Sequence, residues 1–377
     1  MKQHYYYFLI SGFLCFSCNE TKQSDLPEIP VDIEQKTSLP LSEIAETITA
    51  IELELTDESP IKPGRNQIKR INVSDDLVFL AQNEKILVFN TNGKFARSIG
   101  SRGQGPGEYR NIRNFTIDET NKRLFVNAHQ KIICYDFDGN VLAESSVFRL
   151  NTDGLMIDII DINYTNNELL IIGFVMGRED AKGLFNYSAV YRLNEELQIT
   201  DSCTIRNIYE RPHAGFSTTE DYILIPDSTV YLYYPYTLNI NYYPSSQTVL
   251  RDTLYRFEQK HLVPELKLKF KNDGIDGGGN LYISLYNVYR SSRYIFAEYA
   301  NFLGAPPVIS YVFCYDTKTG KGYNIRDGYT DDIHQIDQVK IRPFNTNPEM
   351  FYYWHTHMKP DDLEEPNPTL YIGTLKN

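Results

Sequence analysis

Two stretches of this chain repeat each other at a fixed offset, and that repeat narrows the possible folds more than any other feature. Lys85-Ile86-Leu87-Val88-Phe89-Asn90-Thr91-Asn92-Gly93-Lys94 and Lys131-Ile132-Ile133-Cys134-Tyr135-Asp136-Phe137-Asp138-Gly139-Asn140 stand 46 residues apart, and Val78-Phe79-Leu80 matches Leu124-Phe125-Val126 at the same offset. Each copy reads as strand, short turn, strand, tight Asn-Gly or Asp-Gly turn, strand. A period in the forties with about four strands per unit is what a β-propeller blade requires.

Fainter copies follow. Residues 168–173 with 188–193 read as a third blade, and 221–225, 229–233 and 253–257 as a fourth. Residues 293–298 with 311–316, closed by Thr319-Gly320, read as a fifth. Residues 350–354 and 369–373 give a sixth that lacks an outer strand. The alternating stretch Thr47-Ile48-Thr49-Ala50-Ile51-Glu52-Leu53-Glu54-Leu55 supplies one, and pairing it with the last blade closes the ring and leaves no long open edge. The composition agrees: 29 Tyr and 20 Phe against 5 Met favour strands over helices. The expected fold is therefore all-β, a six-bladed β-propeller closed by an N-terminal strand.

Between the first two copies runs Ile99-Gly100-Ser101-Arg102-Gly103-Gln104-Gly105-Pro106-Gly107-Glu108-Tyr109. Such glycine and proline density excludes a helix or strand interior. A phosphate cradle needs a helix opening directly after the loop, whereas Phe115-Thr116-Ile117-Asp118 and Arg123-Leu124-Phe125-Val126 read as strands. The loop is read as a sharp connector between sheets.

The chain opens as an address. An apolar run from Tyr5 to Phe16, too short to span a bilayer, is followed by Ser17 and Cys18. Residues 1–18 are expected to be a lipoprotein signal peptide with Cys18 as the lipidated residue; an ordinary cleaved signal is the alternative. Residues 19–40, polar and broken by Pro27, Pro30 and Pro40, are expected to be a flexible tether, and residues 41–377 the propeller. The net charge of −12 argues against nucleic acid. Cys134, Cys203 and Cys314 are odd in number and widely spaced, so they offer no disulfide framework or zinc pair and read as small buried residues.

From Leu39-Pro40-Leu41-Ser42-Glu43 through Ile51-Glu52-Leu53-Glu54 and Val88-Phe89-Asn90 to the Gly-x-Gly-Pro-Gly-Glu-Tyr loop at residues 103–109, Ile112 and residues 115–118, the chain resembles the six-bladed β-propeller lipoproteins of Bacteroidetes-type bacteria, relatives of NHL-repeat propellers. The resemblance implies the fold and an envelope location, lipid-anchored to the outer membrane on its periplasmic or surface side. It carries no shared catalytic motif and implies no activity.

Candidate chemistry sits in two places. Blade-to-blade loops ring the channel mouth, so Arg102, Gln104, Glu108, Tyr109 and Arg110 are ligand-binding candidates, the charges for a polar group and the aromatic for a sugar ring. The alternative is that Glu108 and Tyr109 only brace the loop. His355 and His357 share a strand face and form the beginning of a metal site, with Asp361 and Asp362 as the nearest further ligands; a chance pair is the alternative. Gly277-Gly278-Gly279 after Asp273 and Asp276 lacks the EF-hand spacing and reads as a connector, and no Gly-x-Ser-x-Gly motif is present. The expected function is a membrane-tethered envelope binding or scaffold protein, monomeric and without cofactor, holding a glycan, peptide or partner protein. The alternative is a metal-dependent envelope lyase or lactonase, of the kind found among NHL-like propellers.

Overall fold

The computed structural model describes residues 26–377 except 36, 62–67, 75, 151–153, 181–182, 211–222, 225–228, 234–251, 259, 280, 303–307 and 359–364. The signal segment and Cys18 lie outside the described residues, as do Asp361 and Asp362. Blade 1 is the sheet Arg70–Val73, Leu77–Ala81, Ile86–Asn90 and Phe95–Ile99, in that order from the inside out. Blade 2 is Asn114–Asp118, Arg123–Asn127, Ile132–Asp136 and Val141–Glu144. Blade 3 is Asp158–Thr165, Glu168–Asp180, Gly183–Leu193 and Ile199–Glu210. Blade 4 holds Ile223–Leu224, Val230–Leu232, Thr253–Glu258 and His261–Phe270. Blade 5 is Ile283–Arg290, Tyr294–Asn301, Ile309–Asp316 and Lys321–Arg326. Blade 6 is Arg342–Phe344, Asn347–His355 and Thr369–Leu375, completed by Ala45–Glu52.

That last strand bears out the expected closure. Ala45–Glu52 runs antiparallel to Thr369–Leu375, from Ala45 opposite Leu375 to Glu52 opposite Thr369. The 46-residue offset survives in fine detail, because the third strands of blades 1 and 2 bulge at Val88/Phe89 and at Cys134/Tyr135.

Middle strands such as Leu77–Ala81 and Ile132–Asp136 are apolar on both faces because each blade is sandwiched between two others, while the outer Phe95–Ile99 alternates. Among the described residues six apolar clusters result, one at each junction between blades. Phe79, Val88 and Phe115 pack between blades 1 and 2. The last cluster joins Tyr352 and Leu370 of blade 6 to Val78 and Leu87 of blade 1. The free thiols Cys134, Cys203 and Cys314 are buried, and burial pushes the Cys134 thiol up to about 11, which leaves it inert.

The tether expected over residues 19–40 is corrected for its second half. Glu28–Val31 forms a strand parallel to Lys267–Phe270, giving blade 4 a fifth strand. Ile29, Val31, Ile33 and Leu39 are buried, Thr37 donates its amide to the Asn324 carbonyl of blade 5, and Pro40 bridges to Thr330. The segment thus straps the outer edges of blades 4 and 5 before it closes blade 6. Pro30 is tolerated because the strand lies on a sheet edge, where a missing amide breaks no inner ladder.

Candidate functional site

The first strands of blades 1 to 4 adjoin in turn and surround the axis. Three of them carry a polar-apolar-polar triplet: Arg70-Ile71-Asn72 and Asn114-Phe115-Thr116 at the strand start, and Asp161-Ile162-Asn163 three residues into its strand. Their first members meet in one layer. The Arg70 Nη2 donates to Asp161 Oδ1 at 2.6 Å, and its Nη1 donates to the carbonyls of Phe115 at 3.1 Å and Ile162 at 2.9 Å. Asn114 Nδ2 donates to the same Asp161 oxygen, and the Ile223 amide of blade 4 donates to the other. One layer further, Thr116 donates to Asn163, whose amide reaches the carbonyls of Ile223 and Asn345. All six triplet polar residues are at most 3% exposed. The charge pair is a tie among blades, buried beneath the mouth; sequence reasoning missed it, although the recurring triplet was there to be read.

Because every blade is an antiparallel meander, the connectors between blades and the turns between second and third strands share one face. The 100–110 loop belongs to that connector face. Ser101–Arg102 pairs in parallel with Glu108–Tyr109, pinching off a small ring of backbone. Glu108 turns into that ring, where its Oε2 accepts the Gly105 amide at 2.8 Å; a Cβ on Gly103 would lie 1.9 Å from the same oxygen. Tyr109 is 1% exposed, its hydroxyl donates to the Ile99 carbonyl, and its ring fills the space where a Cβ of Gly100 would be. Gly107 is held from blade 2, accepting from the Tyr135 hydroxyl at 2.6 Å and donating to Glu144 at 2.7 Å. Burial raises the Tyr109 phenol far above its ordinary value. Tyr109 is therefore not available to stack on a ligand, a correction with a plain cause: its ring is core. Arg102, Gln104 and Arg110 are exposed, Arg102 beside Glu84 at 2.8 Å.

Further in on this face, Lys69, Arg113, His129 and Asp158 are half-buried. Burial and the Arg113 guanidinium hold the Lys69 ammonium below its ordinary value. Burial, Arg113 and Lys69 lower the His129 imidazole, with Asp158 opposing them. His129 has a left-handed backbone (φ 70°), its amide donating to Asn127 Oδ1 and its carbonyl accepting from the Ile159 amide.

His355 and His357 lie with ring centroids 4.7 Å apart, and His357 Nε2 is 2.8 Å from the Tyr371 hydroxyl. Among the described residues no group of three or more His, Cys, Asp or Glu side chains is arranged to hold a metal ion. Gly277–Gly279 sits in a turn where Asp276 accepts the Gly278 amide, as a connector between blades 4 and 5. In the connector between blades 5 and 6, fully buried Asp331 holds His334. Its Oδ1 accepts the amides of Ile333 and His334, and its Oδ2 meets His334 Nδ1 at 2.8 Å and the Tyr353 hydroxyl. The carboxylate oxygen facing Nδ1 is an acceptor, so Nδ1 carries a proton toward it and the ring orientation is fixed. Asp331 and His334 were not singled out by sequence, since nothing in their spacing marks the pair.

On the opposite face, a cavity of about 260 Å³ between blades 3 and 4 is lined by Arg192, Arg256, Phe257, Glu168 and Glu258. Its cations are already matched, Arg192 to Glu168 and Arg256 to Glu258 and Glu265.

No helix of the described residues is long and apolar enough to cross a membrane. None of the curated proteins matches the sequence. Among solved structures, a Bacteroides fragilis protein described as a putative exported protein is similar over 93% of this chain and 100% of its own, at 17% identity and a TM-score of 0.61. A Bacteroides caccae protein of unknown function (10% identity, 79% of this chain and 90% of that one) has a TM-score of 0.41. The extracellular domain of a B. thetaiotaomicron hybrid two-component system (10% identity, 86% of this chain and 38% of that one) has one of 0.42. The first of these likenesses speaks for the fold. A family model spans residues 26–370, and the chain thus belongs to the family described as Domain of unknown function (DUF4934).

Proposed function

We propose that this protein is an exported, lipid-anchored binding or scaffold protein of the cell envelope, and that its connector face holds a glycan, peptide or partner protein. The observation that carries the reading is the rigidity of the 100–110 loop. Glu108 and Tyr109 fix its backbone from within, so Arg102, Gln104 and Arg110 are offered at set positions and little ordering entropy remains to oppose binding. The likeness to the exported B. fragilis propeller and the Ser17-Cys18 junction support the location. Replacing Arg102 and Arg110 with Ala is expected to abolish the thermal stabilisation given by a bound glycan or peptide while leaving the unliganded melting temperature within about 2 °C, because exposed substitutions cost within about 0.5 kcal/mol each. Cys18→Ala is expected to release the protein from membrane fractions; unchanged partitioning contradicts the anchor.

A second reading, an envelope enzyme, has one specific observation in its favour: buried Asp331 fixes the His334 ring through its Nδ1, the carboxylate–imidazole arrangement a general base uses. The metal-dependent lyase or lactonase form of that reading draws on His355 and His357. Glycan or lactone turnover lost in His334→Gln supports the acid–base form, and turnover that needs added divalent metal and is lost in His355→Ala/His357→Ala supports the metal form.

A further inference from the structure

We infer that Lys69 and Arg113 form an oxyanion-binding site at the axial mouth of the connector face, taking a carboxylate, sulfate or phosphate group of the ligand. The two residues hold the same place in adjacent blades, each directly before the first strand. The Lys69 amide donates to the Ala81 carbonyl at 2.8 Å and the Arg113 amide to the Asn127 carbonyl at 2.9 Å, so each extends its inner ladder by one residue above the buried Arg70–Asp161 layer. Both side chains are half-buried, and among the described residues neither has a carboxylate within 4 Å or a side-chain hydrogen bond. Two adjacent, partly desolvated cations are costly to leave uncompensated, and an anion between them relieves that cost. The contrast is internal: the arginines of the cavity on the opposite face are matched by glutamates.

His129 is the second observation. A non-glycine residue held in the left-handed region by bonds to both blade 2 and blade 3 is strained, and such strain persists where the surroundings fix it. The groups around its ring are Lys69 from blade 1, Arg113 at the entry to blade 2 and Asp158 from blade 3, which in turn accepts from Gln130. The imidazole is thus a built-in reporter of charge at the mouth.

The inference deepens the binding reading by naming the chemistry that the same face selects. The test titrates the mature chain with sodium glucuronate, inorganic sulfate, inorganic phosphate and neutral glucose, following the His129 imidazole by NMR and affinity by calorimetry. The expected result is that at least one anion binds, weakens with added salt, and raises the His129 titration midpoint, while glucose does none of these. Lys69→Met and Arg113→Gln, each verified as folded by its thermal melt, are each expected to weaken the anion at least about tenfold. Which anion binds most tightly separates a uronate-type ligand from a sulfated or phosphorylated one. Absence of binding by all three anions, or affinities unchanged in both variants, overturns the site. If no anion binds, while a neutral glycan binds wild type and fails on Arg102→Ala/Arg110→Ala, the anion site is overturned and the binding reading stands.

Discussion

Gly93 shows how a single residue carries the ring closure. It has φ 86°, and a Cβ there would come within 2.0 Å of the Glu52 carbonyl at the end of the closing strand, while its own carbonyl accepts the Glu54 amide. Gly139, its repeat partner, has φ 95° but meets nothing closer than 3.6 Å. Gly93→Ala is therefore expected to cost roughly 2–3 kcal/mol and Gly139→Ala only about 1 kcal/mol, read from the midpoint of urea unfolding. Arg70 makes a different demand. Arg70→Met strands Asp161 in the axis and is expected to cost about 3–5 kcal/mol, while Arg70→Met/Asp161→Asn recovers part of it, because no charge is then left buried and an oxygen remains to accept from the donors around it. A double-mutant cycle reads the coupling. Protonation adds a pH signature. The Arg293 Nε and Nη2 donate to the two Asp316 oxygens and hold its carboxyl down to about 2, so its contribution is present above 3.8 and is lost as the pH falls toward 2. His129 and His355 are held below 6.5 by burial; the unfolded chain takes up those protons first, so stability also declines as the pH drops through 6.5 and levels off below the folded values. His129→Gln is expected to flatten the part of that decline that belongs to His129 in a series of denaturation curves from pH 7.5 to pH 4.5.

At the level of elements, the N-terminal strap divides into two parts with separable roles. Residues 28–31 cover the outer edge of blade 4, and residues 45–52 close blade 6. Ile29→Asp/Val31→Asp buries two charges against Leu268 and Phe270 and is expected to open the first part alone. Amides of residues 267–270 then exchange faster with deuterium while those of residues 369–375 keep their protection. The closing strand was legible in the sequence, because Ile51-Glu52-Leu53-Glu54 alternates and the sixth blade was one strand short. The strap was not: Pro27 and Pro30 masked the alternation of Ile29, Val31 and Ile33, and a parallel edge pairing with a strand over 230 residues away leaves no local mark. The glycine loop was half legible. Its glycines announced a connector, but only the structure shows that they make room for the Glu108 carboxylate and the Tyr109 ring.

For the whole molecule, a ring of six sheets with a polar tie through its axis is a rigid platform for the loops of the connector face. The repeat at offset 46 made that platform readable, since it depends on pattern. The polar triplets that hold Arg70 and Asp161 could be read, but not their pairing, nor the meeting of the mouth residues Lys69, Arg113 and His129, since each joins different blades and exists only once the ring has closed. The same holds for Asp331 and His334, which gain meaning only from burial against Tyr353. The proposal to decide first is that the connector face binds an envelope ligand. Its most direct test is the thermal shift of the mature chain across neutral, uronate-bearing and sulfated oligosaccharides and envelope peptides, with Arg102→Ala/Arg110→Ala and Lys69→Met/Arg113→Gln alongside. A ligand at about 100 times its Kd is predicted to add about 2.7 kcal/mol of stability to the wild type and to lose that effect in at least one of the two variants. Stabilisation that persists undiminished in both variants, or no stabilisation by any member of the panel, contradicts it.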